Sequence, residues 1–289
     1  MANARVAIVT GAARGIGAGV AAGLAAQGYR VALIGLEGDL LRANAKLLGE
    51  RGMAFEADVT DRVAVTSAFE SIRERWGRID VVVSNAGISN YELLQTMLPK
   101  NFERVMDVNL GGTFNAIQAA LPALKESRGY FLGVASMAAA SAPPGMAAYG
   151  ASKAATESLC DTLRSEVSHL GIAVGVAYFG WLQTDLVKTA GEHPAFAYMR
   201  SRLPGPLRSI APMEIATKAI LDGVERRKRR VMAPGWLRAA LALRWFVAGN
   251  ASRYRETMPE IERLCAAETK RRGNAEPLIT DPARKLTSS

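Results

Sequence analysis

The chain is poor in the residues that build disulfide frameworks and metal sites: its 289 residues include two cysteines, Cys160 and Cys265, and two histidines, His169 and His193. The cysteines lie far apart and in no paired motif, which excludes a disulfide scaffold and a thiolate zinc site and points to a reducing, cytoplasmic setting. Two histidines are too few for a histidine-rich metal site, so no metal is expected. His169 reads as a helix-surface residue and His193 as a loop residue. Long apolar runs are missing too. Only Val6 to Val9 precede the first glycines, and no run approaches the ~18 apolar residues of a spanning helix, so neither a signal-peptide core nor a membrane span is expected. Without low-complexity stretches or internal repeats, collagen-like, solenoid and disordered architectures drop out.

What is present suits one large α/β domain: 49% hydrophobic and 22% charged residues, with 27 glycines. The net charge of +9 is unevenly placed, because residues 1–225 carry 21 basic and 21 acidic side chains and residues 226–289 carry 15 and 6. A neutral body with a basic tail and no recognition module argues against a nucleic-acid partner. Within the body, short β-rich apolar runs alternate with segments of helical period, the βαβ pattern. Strands are expected at Arg5 to Val9, Arg30 to Gly35, Met53 to Ala57, Ile79 to Ser84, Tyr130 to Ala135, Ile172 to Tyr178 and Arg230 to Ala233. Helices are expected at Ile16 to Gln27, Leu40 to Arg51, Arg62 to Trp76, Phe102 to Leu124, Tyr149 to Leu170 and Pro212 to Glu225. Continuous runs such as Val81-Val82-Val83 suit parallel strands buried on both faces, which makes this a doubly wound parallel sheet. From Asp185 to Ile210 the periodicity is lost, and a long irregular insertion is expected, of the kind that carries function in compact domains.

Two motifs carry chemistry. Strand 1 runs into Thr10-Gly11-Ala12-Ala13-Arg14-Gly15-Ile16-Gly17 and then a helix, the strand, glycine turn and helix N-terminus that a pyrophosphate requires. A plain tight turn would look similar. The second motif is Tyr149-Gly150-Ala151-Ser152-Lys153, whose four-residue spacing puts both side chains on one helix face. A lysine ammonium beside a phenol favours the phenolate and would lower its pKa towards a useful range. A surface helix could carry the same pair by chance.

Together these motifs resemble the short-chain dehydrogenases/reductases over about residues 4 to 235. Asp58-Val59 after strand 3, Ser84-Asn85-Ala86-Gly87 after strand 4, Asn109, Ser136 and Thr184 follow in the order of that family. The resemblance implies a Rossmann fold and an NAD(P)-dependent oxidoreductase interconverting a secondary alcohol and a ketone, assembled as a homodimer or homotetramer. It implies Tyr149 as general acid/base, Lys153 as the group that lowers its pKa and binds the nicotinamide ribose, and Ser136 as the holder of the substrate oxygen. Asn109 would keep a local helix break and bind a proton-relaying water. Gly11, Arg14, Gly15, Ile16 and Gly17 would meet the pyrophosphate or adenosine, Asp58 and Val59 the adenine, Asn85 with Ala86 and Gly87 the ribose side, and Thr184 the carboxamide.

The chain departs from the family at Phe179-Gly180, where Pro-Gly is usual, and at Ser84, where Asn is usual. Phe179 reads either as a stacking wall at the nicotinamide or as core packing. The acidic position at the end of strand 2 is Gly35, so Glu37 is the carboxylate left to reach the adenosine ribose. It favours NAD over NADP, although Arg14 could serve a 2′-phosphate.

After the sheet come Arg226 to Arg230 and the largely apolar segment from Trp236 to Ala248. Trp236, Leu237, Leu241, Trp245 and Phe246 beside a basic run suit a peripheral membrane contact, and equally a lid over the cleft or a subunit contact. A membrane contact or a lid favours a hydrophobic, lipid or steroid-like substrate. The expected division is a dinucleotide-binding catalytic domain over 1–235 with a substrate loop at 185–210, a helical extension over 236–268 and a disordered tail over 269–289. A cofactor-bound sensor with little turnover is the competing reading.

Overall fold

The computed structural model describes residues 4–244 and 254–272. Seven parallel strands form one sheet in the order β3-β2-β1-β4-β5-β6-β7, namely β1 (Val6–Thr10), β2 (Arg30–Gly35), β3 (Gly52–Glu56), β4 (Val81–Ser84), β5 (Tyr130–Val134), β6 (Ala173–Phe179) and β7 (Arg230–Ala233). Every residue of β1, β4 and β5 is buried, as strands covered on both faces require. The two-residue period divides the core between the faces. Val6, Ile8, Val82 and Phe131 pack against α3 (Arg62–Trp76), α5 (Gly112–Ser127) and α7 (Ala147–Val167). Ala7, Val9, Val83 and Leu132 pack against α1 (Gly15–Ala26), α2 (Gly38–Leu47) and α10 (Glu214–Glu225). The chain changes direction across the sheet between β1 and β4, which opens a crevice at the strands' carboxyl ends.

The one long helix expected from Phe102 to Leu124 is instead α4 (Pro99–Met106), a π-helical turn (Asp107–Gly111) and then α5. Such a turn takes in an extra residue, and this one centres on the buried Asn109. The segment expected to be irregular holds α8 (Asp185–Gly191), α9 (Pro194–Ser201) and a 3-10 turn (Gly205–Arg208). These helices are too short to show a period, and caps define them: Thr184 Oγ1 accepts from Val187 N at 3.4 Å, and His193 Nδ1 accepts from Ala195 N at 3.2 Å. His193 is the loop residue expected, and it is buried, 7% exposed, as the cap of α9, while His169 is exposed as expected. The ends of the excursion are pinned together, with Ala211 N donating to Trp181 O at 2.9 Å and Gln183 N donating to Ala211 O at 3.0 Å.

The basic run is the turn between α10 and β7. Arg226 and Lys228 pair with Asp222, and Arg230 opens β7 with its guanidinium on Asp161. In the apolar segment that follows, α11 (Leu237–Ala242) buries Leu237 and Leu241, so these two face the core and offer nothing to a bilayer. Trp245 and Phe246 lie outside the described residues. Arg244 grips Glu157 of α7 through two hydrogen bonds of 3.0 and 3.3 Å. The last helix, α12 (Met258–Arg272), runs past the expected boundary at Glu268, whose side chain is buried and paired with Arg271. Its Ile261 packs with Phe196 and Met199 of α9. Among the described residues no helix is long and apolar enough to cross a membrane.

Candidate active site

The glycine turn between β1 and α1 is shaped by what surrounds it. Gly11 and Gly15 have φ of +64° and +59°, in the left-handed region that favours glycine. A Cβ on Gly11 would come 2.8 Å from Ala86 Cα, and one on Gly17 would strike Gly11 O and lie 2.7 Å from Asn85 Nδ2. Asn85 Nδ2 donates to Thr10 O at 3.1 Å and Gly11 O at 3.2 Å, while Thr10 Oγ1 accepts from the main-chain N of Asn85 and Ala86. Asn44 Nδ2 secures the other side by donating to Ala13 O at 2.9 Å. The first turn of α1 has no acidic residue and no side-chain cap, so its N–H groups and dipole suit an anion.

A cleft of about 310 Å³ runs from this turn across the strand ends. Of the residues singled out from the sequence, it is lined by Gly11, Arg14, Gly15, Ile16, Glu37 and Asp58 on the α1 side. Val59, Asn85, Ala86 and Gly87 continue its wall. Ser136, Tyr149, Lys153 and Thr184 line its other end. Gly17 and Asn109 stand behind the lining. Asp58 accepts from Thr60 N at 2.9 Å and from Arg104 at 3.5 Å. Arg14 and Glu37, which the sequence sets as rivals over the cofactor's 2′ position, are ion-paired to each other, and Arg14 also reaches Asp185 at 3.4 Å. Glu37 is the more enclosed, 15% exposed against 43% for Arg14.

At the far end, Tyr149 and Ser136 line the cleft together. Burial pushes the phenol above its ordinary value, and the nearby Ser136 hydroxyl pulls it partly back. This reverses the direction expected from the neighbouring lysine. Lys153 Nζ donates to Val134 O at 2.8 Å and lies 5.8 Å from the Tyr149 ring centroid. Burial brings its own pKa down to about 8. Behind it, Asn109 Oδ1 accepts from Ile88 N at 2.8 Å, and its Nδ2 donates to Ile88 O at 3.0 Å and Ser152 Oγ at 2.9 Å. A Cβ on Gly87 would stand 3.0 Å from Asn109 Oδ1 and 3.2 Å from Lys153 Nζ, so a methyl group there would crowd both side chains.

Ser136, Tyr149 and Phe179 also border a smaller pocket of about 70 Å³ whose wall is mostly apolar. Phe179 is buried in the core at the end of β6 and also lines both cavities. Trp181 is fixed by donating from Nε1 to Leu207 O at 2.9 Å and by edge contact with Phe196 at 5.3 Å. Sequence reasoning missed Thr10, Asn44, Ile88 and Ser152, which hold the turn and the Asn109 region, Arg104, which pairs with Asp58, and Trp181, Leu207 and Tyr254 in the pocket wall. A polar residue beside a glycine turn was the available sign for Thr10 alone. Among the described residues, no group of three or more His, Cys, Asp or Glu could hold a metal ion.

Comparison with known proteins gives three further findings. A model of the short chain dehydrogenase family matches residues 5–195. The 3-oxoacyl-(acyl-carrier-protein) reductase FabG of Escherichia coli (strain K12) is 32% identical over 189 residues, covering 65% of this chain and 78% of that protein. The Staphylococcus aureus (strain Mu50) protein of the same name is 35% identical over 192 residues, covering 64% and 78%. Among solved structures, an alcohol dehydrogenase from the archaeon Thermococcus sibiricus complexed with 5-hydroxy-NADP aligns with a TM-score of 0.69 and 26% identity, covering 80% of this chain and 96% of that one.

Proposed function

This chain belongs to the short-chain dehydrogenases and is an NAD(P)-dependent oxidoreductase; from that premise we propose that it interconverts an apolar ketone and the matching secondary alcohol. The observation that carries this reading is that Tyr149 and Ser136 line both the long cleft and the apolar pocket and so stand at their junction. The glycine turn, the uncapped helix N-terminus and the cleft beside them fit a dinucleotide. Gly11, Gly15, Ile16 and Gly17 would hold its pyrophosphate region, Asp58 and Val59 the adenine, Lys153 a ribose hydroxyl and Thr184 the carboxamide. When bound, the nicotinamide supplies or accepts the hydride.

The chain's own side chains manage the proton and the oxygen. Ser136 donates a hydrogen bond to the substrate oxygen, and Tyr149 passes its phenolic proton to that oxygen in the reductive direction. A phenol held above its ordinary pKa stays protonated and ready to donate. Lys153, positively charged below about pH 8, favours the phenolate left behind. Asn109 has its amide engaged by Ile88 and Ser152, so we assign it the positioning of the Lys153 region. Asn85 likewise positions the glycine turn, its amide being spent on Thr10 and Gly11.

Glu37 supports a preference for NAD, because it neutralises the cation a 2′-phosphate would need. The apolar wall supports a hydrophobic substrate, and a 3-oxoacyl group, the ketone named for the bacterial relatives, has that character. The buried Leu237, Leu241 and Ile261 support a cleft-covering role for the C-terminal part over a membrane contact. The test is cofactor-coupled turnover with NAD(H) and NADP(H) against apolar ketones, 3-oxo esters and polyols. Apolar ketones are expected to exceed polyols in kcat/KM by at least tenfold. A preference for polyols, or tenfold tighter binding of NADP than NAD, would overturn the corresponding assignment.

A further inference from the structure

The apolar pocket beside Tyr149 is closed by residues beyond the stretch matched to the family. That match ends at residue 195, whereas Trp236 and Tyr254 both line the pocket with Trp181, Leu203 and Leu207. Trp236 is anchored by its buried neighbour Leu237 and stands over Gly180, its Cζ2 3.8 Å from where a Cβ on that glycine would lie. Tyr254 is anchored through α12, packing in one cluster with Ile261, Phe196 and Met199. Gln95 adds a hydrogen bond of 3.4 Å to Glu262 on the same helix. The pocket measures about 70 Å³. That is less than a quarter of the long cleft's volume of about 310 Å³, which suits one compact apolar group rather than a fused-ring body.

We propose that Trp236 and Tyr254 set the upper size of the substituent this pocket accepts. The preferred substrates are then ketones or secondary alcohols with one compact apolar group on that side, a short alkyl chain or a single ring. A fused-ring steroid body is too large for it. This size limit rests on the reading of Tyr149 and Ser136 as the centre of ketone reduction. Within the limit each added methylene improves kcat/KM by up to about tenfold, the scale on which hydrophobic pockets discriminate. Beyond it, kcat/KM falls.

The experiment takes methyl ketones with substituents from ethyl to decyl and compares the full chain with Trp236→Ala, Tyr254→Ala and Trp236→Phe. Both alanine variants should move the break point up by two or more carbons, and Trp236→Phe should move it less, with cofactor affinity retained in all three. Trp236→Leu replaces an alanine variant that does not fold. Binding of the matching N-alkylacetamides, which accept no hydride, to the cofactor-loaded protein is read by titration calorimetry as a measure of size limit independent of turnover. A break point that stays in place in folded variants overturns the proposal. If no ketone is turned over while the amide break point still moves with the variants, the size limit stands and the ketone reading fails.

Discussion

Tyr149 and Lys153 sit four residues apart on α7, yet they face different demands. The phenol stands with Ser136 at the junction of the two cavities, whereas the lysine is drawn to the Val134 carbonyl at the end of β5. Tyr149→Phe removes only the transferable proton, so kcat/KM should fall by about 10²–10⁴ while cofactor affinity, measured by fluorescence titration, stays within about twofold. The lysine gives a pH signature. Its pKa of about 8 lies below the ordinary lysine value, so the charge that attracts an anionic cofactor is present below that pH and fades above it. Cofactor binding should therefore weaken as pH rises through 8 in the parent and lose that inflection in Lys153→Met. The same shift has a stability sign, since the unfolded chain keeps its proton to a higher pH than the folded one. Between about pH 8 and the ordinary lysine value the folded state gains stability as pH rises.

At the scale of elements, the turn between β1 and α1 depends on two contacts without slack. Gly17→Ala would drive a methyl group into Gly11 O and Asn85 Nδ2, both of which belong to the turn's own bonding. It should weaken cofactor binding by more than tenfold and lower Tm, and calorimetry with and without cofactor separates the two effects. Much at this scale was legible in the sequence. Val81-Val82-Val83 could only be a strand covered on both faces, and the glycine spacing located the cleft. The helix break at Asn109 was expected from the family resemblance alone and takes the form of a π-helical turn; the residues' own period did not show it, because the Asn109 amide meets the Ile88 backbone, some twenty residues earlier, through space. The short helices α8 and α9 were hidden because capping, not period, defines them. The pKa direction of Tyr149 was misread because proximity in sequence was taken for proximity of charge, while burial had the larger effect.

Across the whole molecule, the C-terminal part is built into the body at several places: α11 in the core, Arg244 on Glu157, and α12 on α9. The apolar segment with Trp236 and the basic run left a membrane contact, a lid and a subunit contact open, because nothing in its own pattern names the partners it packs against. A chain ending at Gly235 should show a markedly lower Tm, since burying side chains the size of Leu237, Leu241 and Ile261 is worth roughly 1.5–3 kcal/mol each. An unchanged Tm would separate this part from the fold. The excursion between Trp181 and Ala211 behaves differently, because its two ends lie side by side on paired main-chain bonds. Lengthening such a closed segment is cheap, about 0.6 kcal/mol for each doubling. The sheet and its glycine turn can thus stay fixed while this segment is exchanged for another of different length, which makes it a natural place for descendants of one ancestor to diverge and for a graft to be inserted.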